Sequence, residues 1–357
     1  MKLTYYKSLD GVRAIAAFMV MIFHFFNSVD LNEAQGLLAK ITVFGQTGVD
    51  LFFVLSGFLI TRILIQTKNT KGYFKNFYLR RVLRIFPLYY LFLILTFYIL
   101  PPLFELPNST LSQQIYHLTY LQNFAATFNW NFVGPGHFWS LAIEEHFYLF
   151  WPLIVCLFSI KNLTRIIFWI VIVALCLRVL MINSGYEVFY FTFTRFDALA
   201  IGSFLAIIEL KGLLKERNAK KFVVLMLVLL VPMAIIWTVF RGEGNKYIQA
   251  FRYLFFSGVY FSVIGFVLCI KENNIINKCL RTKVFTYTGK ISYGLYVFHP
   301  LTYSICDAYF QLNNIGLNFI VCILFTYLIA SFSFYFFESL FLKLKKYFEY
   351  GKKTTVG

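Results

Sequence analysis

Ten long apolar stretches, each of roughly twenty residues, run through this 357-residue sequence from end to end. About twenty apolar residues are what an α-helix needs to cross the hydrocarbon core of a bilayer. Hydrophobic residues make up 59% of the chain and charged residues only 14%, a composition that excludes an ordinary soluble domain. We therefore predict an all-α polytopic membrane protein with about ten transmembrane helices. The predicted spans are residues 12–29, 48–66, 84–100, 139–159, 164–183, 195–210, 222–240, 252–270, 289–309 and 315–342.

The positive charge of the chain lies mostly on one side of the predicted membrane. The net charge is +17, and 27 of the 33 Lys and Arg residues fall on the inner side if the N-terminus is cytoplasmic and the spans alternate. This bias follows the positive-inside rule, so we expect both chain termini in the cytoplasm. The membrane topology and attraction to the anionic headgroups of the lipid bilayer account for the net positive charge of the chain. We therefore expect no nucleic-acid partner.

The spans leave no room for a separate soluble domain, since the longest connection covers only about residues 101–138. We predict one transmembrane domain over residues 1–345 and a short basic cytoplasmic tail at 346–357. The first apolar stretch is expected to be retained, because it lacks a small-residue cleavage site and contains Arg13 and His24. The six cysteines form no CxxC pair, so we expect them to pack in the core and not to bind a metal.

Arg13 and His24 lie in the first apolar stretch, where ionisable side chains are expensive to bury and indicate function. They are eleven residues apart, which is about 20° past three helical turns, so both project from one helix face about 16 Å apart. The pair predicts a site that binds an anionic group near one membrane surface and carries out proton chemistry at its far end.

Asp50 lies just inside the second predicted span. Adjacent antiparallel helices would place it at a depth similar to that of His24. A carboxylate that accepts the imidazole proton would orient His24 and raise its basicity, as general-base catalysis requires. The alternative is that Asp50 caps or anchors a helix end at the membrane interface.

Arg81 and Arg84 are three residues apart, hence on one helix face, near the surface where Arg13 also lies. Guanidinium groups bind phosphate bidentately, which suits an anionic ligand that arrives from the cytoplasm. The alternative is anchoring under the positive-inside rule, and for Lys75 and Arg80 this is the preferred interpretation.

Glu144 and Glu145 lie about five to seven residues inside the fourth predicted span, where two adjacent carboxylates cannot both face lipid. We expect at least one of them to face the interior at a depth similar to that of His24. The nearby His137 and His146 are predicted to be hydrogen-bonded structural groups.

Four further polar residues lie in later spans. Arg195 and Asp197, at the start of the sixth span, are expected to form an ion pair with each other or with neighbouring helices. Arg178 requires a partner or a water-filled cavity. His299 lies in mid-span beside Pro300, whose missing N–H leaves a carbonyl free, so we expect a polar network there.

Six segments in this order resemble the acyltransferase family 3 of integral membrane acyltransferases, which includes bacterial O-acetyltransferases of surface glycans. They are SLDGVRAIAAFMVMIFH, GVDLFFVLSGFLIT, the Arg81 to Arg84 pair, WSLAIEEHFYLFWPL, TRFDALAIG and ISYGLYVFHPL. The resemblance extends from Ser8 to about Glu338. The chain departs from the family pattern after Glu338, where Ser339 and Leu340 stand in place of the Arg and Pro of many members. A second departure is that we expect no extracytoplasmic domain after the last span.

The resemblance implies functional roles for residues already identified. Arg13 and His24 would be the essential catalytic pair, and Arg81 and Arg84 would join Arg13 in binding the phosphates of an acyl-coenzyme A donor. Further catalytic residues are implied at two acidic positions, namely Asp50 and Glu144.

The resemblance also implies the partners and the location. The donor substrate would be acetyl-coenzyme A, with no permanently bound cofactor. The acceptor would be a glycan or lipid-linked saccharide at the outer side of a bacterial cytoplasmic (inner) membrane. Acylation of a small molecule is an alternative.

One mechanism combines these expectations. His24 removes a proton from an acceptor hydroxyl that arrives from the outer side, and the alkoxide attacks the acyl carbon. Direct attack is preferred to an acyl-enzyme, because no activated Ser or Cys lies beside His24 in the sequence. A proton-coupled transporter with a relay of His24, Asp50 and Glu144 would explain the buried ionisable groups but not the arginine pair. A structural membrane protein would explain neither.

Overall fold

A computed structural model describes residues 4–28, 42–239, 246–310 and 314–350, and within these ranges the chain is helical without β-strands. Ten helices of nineteen or more residues occur in this part of the chain and are labelled in chain order. They are α1 (Lys7–Ser28), α2 (Gly48–Thr67), α3 (Tyr73–Ile94), α4 (Trp139–Leu157), α5 (Ile160–Asn183), α6 (Thr192–Leu210), α7 (Ala219–Val239), α8 (Lys246–Cys269), α9 (Lys283–Tyr309) and α10 (Ile315–Ser333).

Each of the ten predicted spans overlaps one of these helices, which confirms the all-α prediction. In the described ranges, eight helical segments are long and apolar enough to cross a membrane. The other two are α6, which contains Arg195, Asp197 and Glu209, and α9, which is rich in Tyr, Ser and Thr. The number of crossings and the side on which each terminus lies stay predictions.

Helix α3 begins well before residue 84, where the sequence predicts the third span to start. Gly72 adopts a left-handed conformation with φ of 79°, and the helix follows at once from Tyr73. Arg81 and Arg84 therefore lie within the helix. The apolar pattern misses this part because arginines interrupt it, although Arg is a good helix former.

The predicted loop at 101–138 contains two α-helices of six to eight residues, Leu111–Leu118 and Gln122–Thr127. It also contains most of a one-turn helix (Leu100–Leu103) and a 3₁₀ helix (Gly136–Phe138). At the other end of the chain, a 3₁₀ helix (Leu344–Phe348) contacts α3, where the Arg80 guanidinium donates to the carbonyl of Lys345 at 3.0 Å. The predicted tail at 346–357 is described only as far as residue 350, so its remainder lies outside the described residues.

Glycines allow the central helices to pack closely. A Cβ atom on Gly57 of α2 would overlap the carbonyl oxygen of Leu199 on α6, and one on Gly202 of α6 would overlap that of Val54 on α2. A Cβ atom on Gly289 of α9 would likewise overlap the Asp10 carbonyl oxygen of α1. Small residues at such contacts let helix backbones approach in a membrane protein. The helices that carry the candidate site are held together in this way.

Candidate active site

Arg13 lines two adjoining cavities, named here the basic cavity and the central cavity. The basic cavity has a volume of about 590 Å³. Its charged lining residues are Lys7, Asp10, Arg13, Arg84, Lys283, Lys290 and Glu338. The central cavity is narrower, about 100 Å³, and shares Arg13, Arg84 and Tyr293 with the basic cavity. The two cavities therefore meet at a pair of arginines.

Three arginines predicted to bind an anion come together at the central cavity. Arg81 and Arg84 lie one turn apart on α3 and line it together with Arg13 of α1. Arg13 is paired with Asp10, Nη1 to Oδ1 at 3.2 Å. Within the described ranges, neither Arg81 nor Arg84 has a carboxylate at ion-pair distance. Their positive charge therefore faces the cavity.

Glu144 lines this arginine-rich central cavity, and not the cavity that contains His24. Its carboxylate accepts hydrogen bonds from Ser56 Oγ at 2.7 Å and from the Tyr148 hydroxyl at 3.0 Å. One of the two adjacent carboxylates thus faces the interior, as predicted. It approaches the arginines because α4 packs against α2 through Ser56.

His24 lines a third cavity of about 590 Å³, named here the histidine cavity. Its polar and aromatic lining residues include His24, Asn27, Gln46, His137, Trp139, Tyr190 and Tyr296. Val49 and Tyr296 line both this cavity and the central cavity, so the two cavities adjoin at these residues. The Tyr296 hydroxyl donates to the His137 carbonyl at 2.5 Å and lies 2.6 Å from Ser140 Oγ, which leaves the Ser140 hydroxyl as donor.

Two imidazoles face each other at this cavity. His24 Nδ1 lies 3.1 Å from His299 Nε2 and 3.0 Å from the Val20 carbonyl oxygen. His299 Nδ1 lies 3.1 Å from the Leu295 carbonyl oxygen. A carbonyl only accepts, so both Nδ1 atoms carry the proton when the rings are neutral. The single Nδ1–H of His24 is then shared between the Val20 carbonyl oxygen and His299 Nε2. Among the described residues no group bonds to His24 Nε2, and its lone pair can serve as a base.

Asp50 does not contact His24, contrary to the expected arrangement. Its carboxylate pairs with Arg195 of α6 at 2.6 Å, and both side chains are buried. The physical reason is that a guanidinium this deep needs a counter-charge, and Asp50 supplies it across the closely packed α2–α6 contact. The structure therefore shows Asp50 joining two helices.

Arg178 and Asp197 form a second buried pair, Nη1 to Oδ2 at 2.7 Å, between α5 and α6. The partner that Arg178 requires is therefore a carboxylate on the next helix. Arg195 and Asp197 each pair with a neighbouring helix, one of the two arrangements predicted for them. The nearby His146 is a hydrogen-bonded group, since its Nδ1 lies 2.8 Å from Thr192 Oγ1.

Comparison with known proteins identifies the chain's family. Residues 6–336 match the family described as an acyltransferase domain, which covers nearly the whole chain. The chain belongs to the acyltransferase 3 family. The O-acetyltransferase OatA of Staphylococcus aureus (strain NCTC 8325 / PS 47) is 30% identical over 354 residues, which cover 94% of this chain and 57% of OatA. A protein of strain COL that has a provisional O-acetyltransferase name is 29% identical over 365 residues, or 96% of this chain and 58% of that protein.

This acyltransferase 3 chain thus spans little more than half the length of the curated relatives it matches. No solved structure is significantly similar to it. The six segments quoted from the sequence fall essentially within the matched residues 6–336. The resemblance expected from those segments is therefore confirmed.

Sequence reasoning missed two features of this candidate site. It placed His299 in a polar network without linking it to His24, although the two rings share a hydrogen bond. It also missed Tyr296, which stands between two cavities. The available signal was their spacing, since three residues place Tyr296 and His299 on one face of α9.

Proposed function

We propose that this protein transfers an acyl group, namely acetyl, from acyl-coenzyme A to a hydroxyl of a glycan across a bacterial cytoplasmic membrane. The observation that most directly supports this proposal is that one helix, α1, presents Arg13 to the basic and central cavities and His24 to the histidine cavity. Eleven residues of helix separate them by about 16 Å. An extended pantetheine arm is of the same order of length.

The acyl-coenzyme A donor suits the basic and central cavities, which the arginines line. Arg13, Arg81 and Arg84 are suited to hold the phosphates of coenzyme A, since guanidinium groups bind phosphate bidentately. The positive-inside bias supports a cytoplasmic opening for this side. The arm would then extend through the central cavity, past Tyr296, and bring the thioester to His24.

The chemistry at His24 is general-base catalysis. His24 Nε2 removes the proton from the acceptor hydroxyl, and the oxygen attacks the thioester carbonyl carbon. The carbon–sulfur bond then breaks, and the coenzyme A thiolate takes the proton from the imidazolium. His299 Nε2 accepts the His24 Nδ1 hydrogen bond throughout, which orients the ring and stabilises the transient imidazolium.

The acceptor fits the histidine cavity. Trp139 and Tyr190 offer aromatic faces, and the Asn27 and Gln46 amides offer hydrogen bonds, a combination that suits a sugar ring. The relatives' names specify O-acetyl transfer, which supports acetyl as the group and oxygen as the acceptor atom. We assign the acyl transfer to the transmembrane domain, residues 1–345, with both chain termini in the cytoplasm.

Acetyl transfer in sealed membrane vesicles tests the proposal. Radiolabelled acetyl-coenzyme A is supplied on the cytoplasmic face, and label in surface glycan is measured for the wild type, Arg13→Ala and His24→Ala. His146→Ala and Arg165→Ala are matched controls, because neither residue lines the three cavities. We expect label with the wild type and both controls, and loss of label with the two site variants.

Absence of label from folded wild-type protein would reject the proposal. Proton-coupled flux in the same vesicles would then favour the transporter alternative, in which the buried ionisable groups form a relay. Label that depends on acetyl-coenzyme A at the opposite face would reject the proposed orientation.

A further inference from the structure

The basic cavity holds more positive charge than the arginines account for. Three lysines line it in addition to Arg13 and Arg84, namely Lys7, Lys283 and Lys290. Only two carboxylates line the same cavity, and Asp10 is already paired with Arg13. In the part of the chain that the structure describes, none of the three lysines has a carboxylate at ion-pair distance. The cavity therefore suits a ligand with several negative charges.

Two of these lysines lie on one face of α9. Lys283 and Lys290 are seven residues apart, and Tyr287 between them also lines the cavity, as expected for a stripe along one helix face. The Lys290 ammonium lies 4.7 Å from the centre of the Phe334 ring, an aromatic contact on the cavity wall. Helix α9 begins at Lys283, and the side chain of its N-cap residue, Thr282, makes no capping hydrogen bond. The positive end of the helix adds to the attraction for an anion.

The cations are arranged in two positions along the route to His24. Arg13 and Arg84 line both the basic and the central cavity, whereas the lysines line only the basic cavity. Coenzyme A has a matching order of groups: thioester, pantetheine arm, pyrophosphate, and a ribose 3′-phosphate beyond it. With the thioester at His24 and the pyrophosphate at the arginines, the 3′-phosphate reaches the outer part of the basic cavity.

We infer that Lys7, Lys283 and Lys290 bind the 3′-phosphate of the donor nucleotide. This inference rests on the proposed function and specifies its donor: a 3′-phosphorylated nucleotide thioester is selected over a phosphopantetheine thioester on a carrier protein, which has no nucleotide. The phosphate of an anionic lipid headgroup offers the same chemistry, so the experiment must separate the two sources.

Binding of coenzyme A and of dephospho-coenzyme A to the full chain provides the test. Affinities are measured by titration calorimetry in phosphatidylcholine nanodiscs for the wild type and the triple variant K7A/K283A/K290A. The triple variant K211A/K215A/K220A is the matched control, because it removes the same charge from exposed lysines on the same predicted side. We expect the wild type and the control to bind coenzyme A about tenfold more tightly than dephospho-coenzyme A, as a lost charged hydrogen bond would give. The site variant should bind both ligands equally.

Persistence of the coenzyme A preference in K7A/K283A/K290A would overturn the inference and leave the proposed function intact. A second arm adds phosphatidylglycerol. Loss of bound phosphatidylglycerol from the site variant, together with an unchanged coenzyme A preference, would assign the lysines to lipid and also overturn it. Folded wild-type protein that binds neither coenzyme would instead reject the proposed donor.

Discussion

His299 Nε2 lies 3.1 Å from His24 Nδ1, and each Nδ1 lies 3.0 to 3.1 Å from a carbonyl oxygen four residues earlier in its own helix. The two carbonyls determine both neutral tautomers, because each requires an N–H donor. His24 is therefore oriented by the Val20 carbonyl and by a second imidazole, which takes the place of the expected carboxylate. The unprotonated Nε2 of His24 has a lone pair, which the proposed mechanism uses on the acceptor hydroxyl.

Replacement of His299 by Phe removes one of the two acceptors of the His24 Nδ1–H and leaves the Val20 carbonyl oxygen as the other. We expect kcat to fall by part of the roughly 10²- to 10⁴-fold that general-base catalysis contributes, with little change in KM for the donor. The acidic limb of the kcat/KM profile against pH should also shift, and His299→Gln, which keeps an acceptor, should recover part of the loss. An unchanged pH profile in His299→Phe would contradict the positioning role.

Replacement of Glu144 by Gln tests whether this residue acts on the donor or on His24. Ser56 and Tyr148 donate to different carboxylate oxygens of Glu144, so the amide oxygen of Gln keeps one of these hydrogen bonds and its NH₂ group can donate to the other hydroxyl oxygen. The fold should therefore be kept. Because Glu144 faces the arginines and not the histidine cavity, we expect KM for acyl-coenzyme A to change about tenfold and kcat to change less. Steady-state kinetics in membranes measure both, and a selective loss of kcat would indicate a catalytic role instead.

Replacement of Asp50 by Asn leaves the buried Arg195 guanidinium without its counter-charge. Breaking a buried pair in this way costs about 3–5 kcal/mol, so the thermal unfolding midpoint should fall markedly. The double variant Asp50→Leu/Arg195→Leu should recover much of the stability. If Asp50 acts only in helix packing, activity per folded molecule should survive in the double variant. Complete inactivity of a stable double variant would restore the catalytic interpretation.

Replacement of Gly57 by Ala introduces a methyl group where the Leu199 carbonyl oxygen already lies. The backbones of α2 and α6 would have to separate, and overpacking of this kind costs about 1–3 kcal/mol. We expect a lower thermal unfolding midpoint. Gly136→Ala is the control, because no atom lies within 4 Å of its added Cβ position. Equal midpoints for the two variants would show that the close contact does not limit stability.

His117 in the short helix Leu111–Leu118 predicts a pH dependence of stability. Burial lowers its pKa to about 4, against a smaller opposing effect of its hydrogen bond to the Pro135 carbonyl. The unfolded chain, with a pKa near 6.5, binds more protons than the folded chain between these values. The contribution of neutral His117 to the free energy of unfolding is therefore fully present above about pH 6.5 and declines as the pH falls towards 4.

Replacement of His117 by Gln removes the titrating group and should flatten this decline. Thermal unfolding midpoints at pH 7 and pH 4.5 measure the effect, and we expect the difference between them to be a few degrees smaller in the variant than in the wild type. Identical pH dependence in both proteins would exclude His117 as a source of acid sensitivity.

The helices were largely predictable, and the boundaries that failed did so for local reasons. Helix α2 begins at Gly48, where its span is predicted to begin, because apolar composition alone specifies it. The third span is predicted to start at residue 84, whereas α3 begins at Tyr73, because charged residues interrupt the apolar pattern there. Among the candidate site residues, the spacing of Arg13 and His24 placed them on one helix, and the structure then separates them into different cavities.

Local composition was sufficient for the helical architecture, because the cost of burying backbone and charge in a membrane acts on each twenty-residue stretch independently. It was also sufficient to identify the ionisable residues that need an explanation. The partners of those residues depend on tertiary packing. Asp50 and Arg195 are 145 residues apart in the chain, and His24 and His299 are 275 apart. A buried charge or imidazole can be satisfied by any suitable group within reach, and only the close packing of α1, α2, α6 and α9 determines which group that is.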